Sequence, residues 1–320
     1  MGWRALELDG EVLLFDRDRG TNMLVANATT VTLRRKAPRQ LQVALTNACD
    51  KTCSFCYRPH EARSRWTFDS ILELARFCDD WGVLELAFGG GEPTLFPRFA
   101  ELMHAIWSQT KLCPNFTTHG LRLDRELLRS LRGAYGQIQV SVYDEDDTGA
   151  IIDTVVAERA RFGLNYLVTP ARVRTLEADV LAFVERGARD VLFLSYKGTD
   201  PALHLSAREL AMFDVSLAKL HELVGRRAAL KVDVCWATRL VHTPQLLNAD
   251  DCGANIDFLS IASDRRVLSC SFAKVGVPFE DVSEIRTIWE GMQSQRIPSP
   301  SPGCARLPQF GMRSQLNVLR

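Results

Sequence analysis

The stretch LQVALTNACDKTCSFCY, residues 41–57, contains the pattern that decides the fold and the chemistry of this chain. Its first five residues form a short apolar run that is typical of a buried strand. The loop that follows carries Cys49, Cys53 and Cys56 at the spacing C-x3-C-x2-C. Iron–sulfur cubes are usually held by four thiolates, so three would leave one iron open to an exchangeable ligand. A zinc site completed by His60 is the alternative interpretation.

A glycine-rich turn follows the next predicted strand. Residues 88–94 read FGGGEPT, directly after the apolar run 84–88. Consecutive glycines let the backbone approach a ligand closely, and the oxygens of such a turn suit an ammonium group. A phosphate-binding loop is the alternative, but no Lys-Ser or Lys-Thr pair follows and no G-x-G-x-x-G sequence occurs.

Predicted strands alternate with predicted helices over most of the chain. Segments such as 67–80 and 176–186 have helical spacing, and they lie between short apolar runs. The runs are residues 41–45, 84–88, 115–118, 137–142, 165–169 and 191–195. This alternation predicts an α/β fold, a parallel sheet covered by helices that forms an open partial (β/α)6 barrel. Ligands of such folds bind at the carboxyl ends of the strands, where both motifs lie.

The sequence divides into three predicted parts. Residues 1–38 form an N-terminal β-hairpin appendage, because polar and apolar positions alternate around the turns Asp9-Gly10 and Arg19-Gly20. Residues 39–228 form the barrel. Residues 229–320 hold four of the nine cysteines, and we expect a small C-terminal module there.

Together, the two motifs resemble those of the radical S-adenosylmethionine (SAM) superfamily. Its members carry a C-x3-C-x2-C loop after the first barrel strand and a Gly-Gly-Glu-Pro motif after the second. The resemblance implies that the three loop cysteines hold a 4Fe-4S cluster and that SAM is bound beside it. It further implies that the glycine-rich motif lies against the methionyl amine of SAM. The residues that match this motif are Gly90, Gly91 and Glu92.

The family's weaker motifs are matched in part. Tyr57 stands where an aromatic residue borders the adenine, and Ser141 stands where a serine contacts SAM. His119 replaces the usual asparagine of a Thr-Thr-Asn-Gly motif, and Tyr143 replaces the aspartate of Ser-Leu-Asp. Either residue serves the substrate or has a hydrogen-bonded structural role. The acidic run 144–147 either receives a cationic substrate or caps the next helix from a solvated loop.

The C-terminal cysteines resemble the "twitch" and "SPASM" extensions of this superfamily, which bind auxiliary 4Fe-4S clusters. A hairpin is predicted between Cys252 and Cys270, with strands at 258–262 and 266–268. The resemblance implies an auxiliary cluster on Cys252, Cys270 and Cys304, with Cys235 as a weaker fourth ligand. The alternatives are scattered thiols and a zinc site.

The composition excludes several classes of protein. Lys plus Arg and Asp plus Glu number 39 each, so no net charge attracts nucleic acid or an anionic membrane. No apolar run reaches the roughly 18 residues of a membrane span, and we find no secretory signal. An odd number of cysteines spread over 320 residues argues against a disulfide framework. We therefore expect a cytoplasmic protein with reduced thiols.

Three functions remain open at this stage. The resemblance implies reductive cleavage of SAM to a 5′-deoxyadenosyl radical that abstracts hydrogen from a substrate. The first function is modification of a ribosomally made peptide by crosslinking, epimerisation or oxidation, and the N-terminal hairpins offer a strand edge for such a peptide. The second is a small-molecule dehydrogenase or cyclase. The third is a non-catalytic iron–sulfur redox sensor. The expected partners are the substrate and a reductase such as flavodoxin or ferredoxin.

Overall fold

A computed structural model of the protein describes residues 2–58, 62–236, 239–243, 252–294 and the backbone of 317–318. The N-terminal residues form a three-stranded antiparallel sheet in the order β1-β2-β3. Its strands are β1 (Arg4–Glu7), β2 (Val12–Asp16) and β3 (Thr21–Val25). The sheet confirms the predicted hairpins. Its last strand is exposed, with Met23 50% and Leu24 42% accessible.

The barrel consists of parallel strands joined by helices, as predicted. Adjacent strands from β4 to β10 pair in parallel, each with the next along the chain. The strands are β4 (Gln40–Thr46), β5 (Glu85–Gly90), β6 (Cys113–Thr118), β7 (Ile138–Ser141), β8 (Phe162–Val168), β9 (Asp190–Ser195) and β10 (Ala229–Val232). The helices are α1 (Phe68–Trp81), α2 (Phe99–Gln109), α3 (Arg125–Ser130), α4 (Thr148–Ala157), α5 (Leu176–Arg186) and α6 (Ala207–Val224).

The C-terminal strands extend this sheet at both edges. β11 (Phe258–Ile261) pairs in parallel with β4 and forms the predicted hairpin with β12 (Arg266–Leu268). The short β13 (Val277–Pro278) follows β12, and α7 (Glu284–Ser294) comes next. At the other edge, β14 (Asn317–Val318) pairs antiparallel with β10. The described C-terminal strands therefore share one sheet with the barrel strands.

The burial pattern of the strands places the helices on one face of the sheet. In β7, Ile138 and Val140 are fully buried, whereas Gln139 and Ser141 are half-buried. A Cβ atom built on Gly120 would meet both Val140 and Ile151 of α4 at 3.0 Å, so Val140 faces the helical layer. Ser141 points to the opposite face because successive side chains alternate.

The helices form where the sequence provides caps and an apolar stripe. At the start of α1, Thr67 and Ser70 form a reciprocal capping box, and Ser206 and Glu209 form another before α6. In the described residues, no helix combines the length and apolar character needed to cross a bilayer. The parallel order brings the loops that follow β4 to β10 to one edge of the sheet, where the sequence motifs meet.

Candidate active site

The cysteine loop follows β4 and is held in a compact turn. Cys49, Cys53 and Cys56 are half-buried free thiols. The amide of Cys56 donates to the carbonyl of Cys53 at 3.0 Å, and the amide of Lys51 donates to the sulfur of Cys49 at 3.5 Å. Burial raises the pKa of the Cys49 and Cys53 thiols. A bound metal would reverse that preference, because metal ligands are thiolates.

The three loop sulfurs are spread too widely in this structure to hold a single ion. Within the described part of the chain, they do not all lie within 4.8 Å of one another. A tetrahedral zinc ion would hold its thiolates about 3.8 Å apart, from a Zn–S distance of about 2.3 Å. His60, the fourth ligand in the zinc interpretation, lies outside the described residues.

The glycine-rich turn after β5 packs directly on the cysteine loop. The amide of Gly91 donates to the carbonyl of Thr46 at 2.6 Å, and that of Glu92 donates to the carbonyl of Ala48 at 2.8 Å. A Cβ atom would lie 2.2 Å from the Thr46 oxygen at Gly90 and 2.1 Å from the Ala48 oxygen at Gly91. The two glycines are thus required for contact between the two loops, a role that sequence reasoning did not identify.

Glu92 joins the ends of β5 and β6. Its side chain is 1% exposed. One carboxylate oxygen accepts hydrogen bonds from the amide and hydroxyl of Thr94, at 3.1 and 2.7 Å. The other accepts from the hydroxyl of Thr118 and the amide of His119, both at 3.0 Å. These contacts fix the carboxylate in one orientation at the centre of the site.

His119 connects this centre to the cysteine loop. Its Nδ1 accepts from the amide of Leu121 at 3.1 Å, so Nε2 carries the proton and donates to Asp50 at 2.6 Å. Arg122 also binds Asp50, at 3.2 Å. Burial opposes ionisation of Asp50, but the hydrogen bonds from His119 and Arg122 outweigh it and lower the pKa of the carboxyl group.

Cys49, Asp50 and His119 are close enough to bind one ion, with ligand atoms within 4.8 Å of one another. The tautomer of His119 argues against that role. A metal ion at Nε2 would displace the proton to Nδ1, where it would oppose the amide of Leu121. The structural role weighed for His119 from the sequence is therefore the one its contacts support.

Ser141 lies at the end of β7 beside a polar residue that sequence reasoning missed. It pairs in register with Asn165 of β8, so both side chains point away from the helices. Asn165 is 8% exposed, and its Oδ1 has no hydrogen-bond partner in the described structure. A buried acceptor without a partner is costly unless a ligand satisfies it. The only sequence signal was a polar residue inside an apolar strand.

The loop after β7 closes on the cysteine loop. The ring of Tyr143 stacks on Phe55, with centroids 5.8 Å apart. Burial, with the nearby Cys53 thiol, raises the pKa of Tyr143. The Lys51 ammonium lies 4.5 Å from the ring centroid.

The acidic run 144–147 is engaged within the protein. Asp144 pairs with Arg172 at 2.7 Å, and Glu145 and Asp146 both bind Lys51. Asp147 accepts from the amide of Ala150 and caps α4, as the capping interpretation predicts. All four carboxylates therefore have protein partners, which weakens the interpretation as a receptor for a cationic substrate.

The C-terminal residues approach the cysteine loop through aromatic contacts. Tyr57 is 48% exposed, and its ring centroid lies 4.4 Å from that of Phe272. Phe272 comes two residues after Cys270 and also lies 5.0 Å from the Lys197 ammonium. Tyr57 thus lies at the boundary between the cysteine loop and the second cysteine region.

The second cysteine region contains a buried ion pair that the sequence did not reveal. Lys197 and Asp233 follow β9 and β10, and their charged atoms are 2.8 Å apart. Asp233 also accepts from the amides of Ser195 and Cys235, at 2.8 and 2.9 Å. Burial alone would lower the pKa of Lys197, but Asp233 and Cys235 raise it above its usual value. Cys235, Cys252 and Cys270 are half-buried, and Cys304 lies outside the described residues.

Comparisons with known proteins show which family this chain resembles. The model of the Radical SAM superfamily matches residues 43–166. A PqqA peptide cyclase of Granulibacter bethesdensis is 30% identical over 305 residues, covering 84% of this chain and 80% of that protein. A PqqA peptide cyclase of Gluconobacter oxydans is 32% identical over 120 residues, covering 35% of this chain and only 32% of that relative's length.

The fold has a solved counterpart in Streptococcus suis SuiB bound to S-adenosylmethionine. The two chains share a TM-score of 0.72 at 12% identity, with 95% of this chain and 92% of SuiB covered. The long alignment with the Granulibacter protein extends well beyond the family model into the C-terminal residues. The expected resemblance is confirmed, and the chain belongs to the radical SAM superfamily.

Proposed function

We propose that this chain uses a 4Fe-4S cluster on Cys49, Cys53 and Cys56 to cleave SAM and to modify a peptide. The observation that carries the proposal is the junction of two loops. Three thiols lie beside a turn whose Gly91 and Glu92 amides donate hydrogen bonds to the carbonyls of Thr46 and Ala48. When bound, the cluster and SAM supply the chemistry, reductive cleavage of SAM to a 5′-deoxyadenosyl radical.

The protein's own residues bind and orient the reactants. Gly90, Gly91 and Glu92 form the turn that packs on the cysteine loop, and its backbone carbonyls would accept from the SAM amine. Ser141 and Asn165 offer a hydroxyl and an amide for the polar groups of SAM, and Tyr57 offers a partly exposed ring for the adenine. Exclusion of water and fixed positioning then decide which substrate hydrogen lies within reach.

A peptide is the substrate class that the relatives support. The Granulibacter and Gluconobacter relatives are named for cyclisation of the PqqA peptide, and SuiB has been crystallised with its precursor peptide SuiA. In this chain, β3 lies at one edge of the N-terminal sheet, with no strand beyond it among the described residues. Such an edge can pair with an extended peptide. Electrons would come from a reductase such as flavodoxin or ferredoxin.

An auxiliary cluster on Cys252, Cys270 and Cys304, with Cys235 as the weaker fourth ligand, is part of this proposal. The support is that one buried ion pair lies beside both segments. Asp233 binds the Lys197 ammonium and the amide of Cys235, and Lys197 lies 5.0 Å from the ring of Phe272, two residues after Cys270.

The direct test is SAM cleavage by the reconstituted protein. Wild type incubated anaerobically with dithionite and SAM should produce 5′-deoxyadenosine, and Cys49→Ala, Cys53→Ala or Cys56→Ala should abolish it. Cys78→Ala is the matched control, because Cys78 is fully buried in α1 away from the loop. No product from wild type with a full cluster would favour the non-catalytic redox sensor.

The substrate class requires a second experiment. A short peptide encoded beside the gene should change in mass when incubated with the loaded enzyme, SAM and reductant. A crosslink or oxidation would lower the mass by about two hydrogens, and epimerisation in D2O would add a deuteron. If no such peptide is encoded and no peptide binds, a small-molecule dehydrogenase or cyclase becomes the better hypothesis.

A further inference from the structure

The base of the cysteine loop is closed by hydrogen bonds between its two ends. At the start of the loop, the Asn47 side chain donates to the carbonyl of Ala62 at 2.9 Å. At its end, the Ser64 hydroxyl donates to the carbonyl of Leu45 in β4 at 3.0 Å. Asn47 is 2% exposed, so water has little access to this closure. The three cysteines therefore lie in a loop whose ends are tied together.

The turn between β11 and β12 binds the end of this loop from the C-terminal side. The amide of Arg65 donates to the carbonyl of Ser263 in that turn at 2.8 Å. Ser263 is buried, so this backbone hydrogen bond is also shielded from water. The closed base of the cysteine loop is thus attached to a hairpin that follows the barrel in the chain.

Arg265 of the same turn lies between two buried rings. Its guanidinium carbon is 5.3 Å from the ring centroids of both Trp66 and Phe279. Trp66 directly follows Arg65, and both aromatic side chains are buried. A cation within about 6 Å of an aromatic centroid is attracted by the ring, most strongly where water is excluded. The guanidinium therefore joins the end of the cysteine loop to the C-terminal strands.

The backbone of Arg265 does not by itself favour an arginine. Its φ is 62°, in the left-handed region that asparagine and glycine adopt more easily. The carbonyl of Arg265 accepts from the amide of Phe279 at 3.1 Å, which fixes the turn in this conformation. The neighbouring Arg266 differs, since it pairs with Asp264 at 2.8 Å and its side chain is 39% exposed. The contacts of the Arg265 side chain are what distinguish the two arginines.

We propose that Arg265 is a positioning residue for the cysteine loop. By holding Trp66 it keeps the closed base of the loop in place, and the loop then retains its cluster. This inference rests on the proposed function, because it concerns the cluster on Cys49, Cys53 and Cys56. It gives the C-terminal hairpin a part in the first cysteine region, in addition to any cluster that the second region binds.

Hydrogen exchange of the apoprotein tests the hold on the loop without a cluster. Arg265→Asn keeps a residue that tolerates the left-handed backbone and removes the cation. The Arg65 amide should then exchange about twofold to thirtyfold faster, the effect of one cation–π contact on an opening equilibrium. Arg265→Lys, which keeps a cation, should restore protection. Arg266→Asn is the control and should match wild type, because its ion pair stays within the turn.

A second measurement follows the cluster. Wild type and the three variants are reconstituted anaerobically, their iron is counted, and a chelator is added. The cluster of the first loop is identified by the change in its reduced EPR signal when SAM is added. That signal should decay faster in Arg265→Asn, and at the wild-type rate in Arg265→Lys and Arg266→Asn.

Wild-type exchange of the Arg65 amide in Arg265→Asn would overturn the inference, and so would faster exchange that Arg266→Asn shares. Faster exchange with an unchanged decay of the cluster would also overturn it, because the loop would then retain its cluster without the arginine. Should Arg265→Asn not fold, Arg265→Lys decides, since wild-type exchange and decay support the role of the cation and lost protection contradicts it. These outcomes leave the proposed function intact, whereas a wild type that binds no cluster would refute it.

Discussion

The two cysteine regions of this molecule are held by different kinds of contact. The first loop is fixed mainly by the backbone, since the turn after β5 donates two amides to the carbonyls of Thr46 and Ala48. In the second region, the turn at Cys235 is fixed by a buried carboxylate, Asp233, which binds two amides and the Lys197 ammonium. One region relies on glycines and the other on a buried ion pair.

This difference explains why one region could be recognised from its sequence and the other only in part. Close contact between backbones demands glycine, and glycines at fixed spacing form a motif. A buried ion pair can be built from residues far apart in the chain, here 36 positions, and no local pattern marks it. The comparison can be tested by changing each region separately.

The largest effect should come from removing the cysteines of one region at a time. We expect about eight irons per chain in reconstituted wild type, four for each cube. Replacing Cys235, Cys252, Cys270 and Cys304 together by Ala should leave about four. Replacing Cys49, Cys53 or Cys56 by Ala should remove only the cluster that cleaves SAM. Iron analysis and Mössbauer spectroscopy give the counts.

A control separates ligands from structural thiols. Cys113→Ala should keep all the iron, because Cys113 is buried at the start of β6, at the far end of the strand from the motifs. A wild type that stops at four irons would show that the second region binds no cluster.

The buried ion pair should be the next most sensitive feature. Lys197→Met leaves Asp233 buried without its cation and should lower the free energy of unfolding by about 3–5 kcal/mol. Lys219→Met is the control; Lys219 is 58% exposed and pairs with Glu177, so the cost should stay below about 1 kcal/mol. Urea denaturation measures both. Equal costs for the two variants would show that the buried ion pair does not stabilise the second region.

The pKa of Lys197 determines how the cost of Lys197→Met in unfolding free energy depends on pH. Its pKa is raised in the folded state, so its stabilising contribution is complete below the unfolded value and is lost only as pH rises through the folded pKa. Between about pH 6 and pH 9, below the ordinary lysine pKa of about 10.4, the cost of Lys197→Met should therefore be constant. A cost that declines within this range would contradict the assigned charge state.

The fold was predictable from the sequence because its signals are local. The six predicted strands became β4 to β9, and the predicted helical segments 67–80 and 176–186 match α1 and α5. One long-range pairing was not predictable. The pairing of β11 with β4 joins residues more than 200 positions apart, and hairpin patterns do not specify which strand lies beside them.

The site was predictable in its motifs but not in its supporting contacts. Ser141 was expected from a motif, whereas its neighbour Asn165 emerges only from the register of β7 and β8. The turn with Glu92 was expected from its motif, whereas the hydrogen bonds of the Glu92 side chain to Thr94, Thr118 and His119 emerge only in the structure. Such contacts depend on which strand ends meet, and this is a tertiary property.

A smaller effect should follow from disturbing the backbone junction of the first region. Gly91→Ala would bring its Cβ within 2.1 Å of the Ala48 oxygen, and the required shift should cost about 1–3 kcal/mol, as overpacking does. Gly291→Ala in α7 is the control, since its Cβ would meet no atom within 4 Å. It should instead stabilise the protein by about 0.4–1 kcal/mol. Thermal melting of the apoprotein compares the two variants. Equal melting temperatures would mean that the backbone at the junction can shift at little cost.

The smallest effect should come from the exposed carboxylate of Glu145, which binds Lys51 of the first cysteine loop. The Glu145 side chain is 63% exposed, whereas that of Asp146 is 7% exposed, and both bind Lys51. Glu145→Gln should cost no more than about 0.5 kcal/mol, because solvent screens an exposed pair and Asp146 still holds the lysine. Asp146→Asn should cost more, since it removes the shielded partner that keeps Lys51 over Tyr143. Urea denaturation at low and high salt tests this order of costs. If Glu145→Gln were the more costly change, the exposed carboxylate of Glu145, and not the shielded one of Asp146, would hold Lys51 in place.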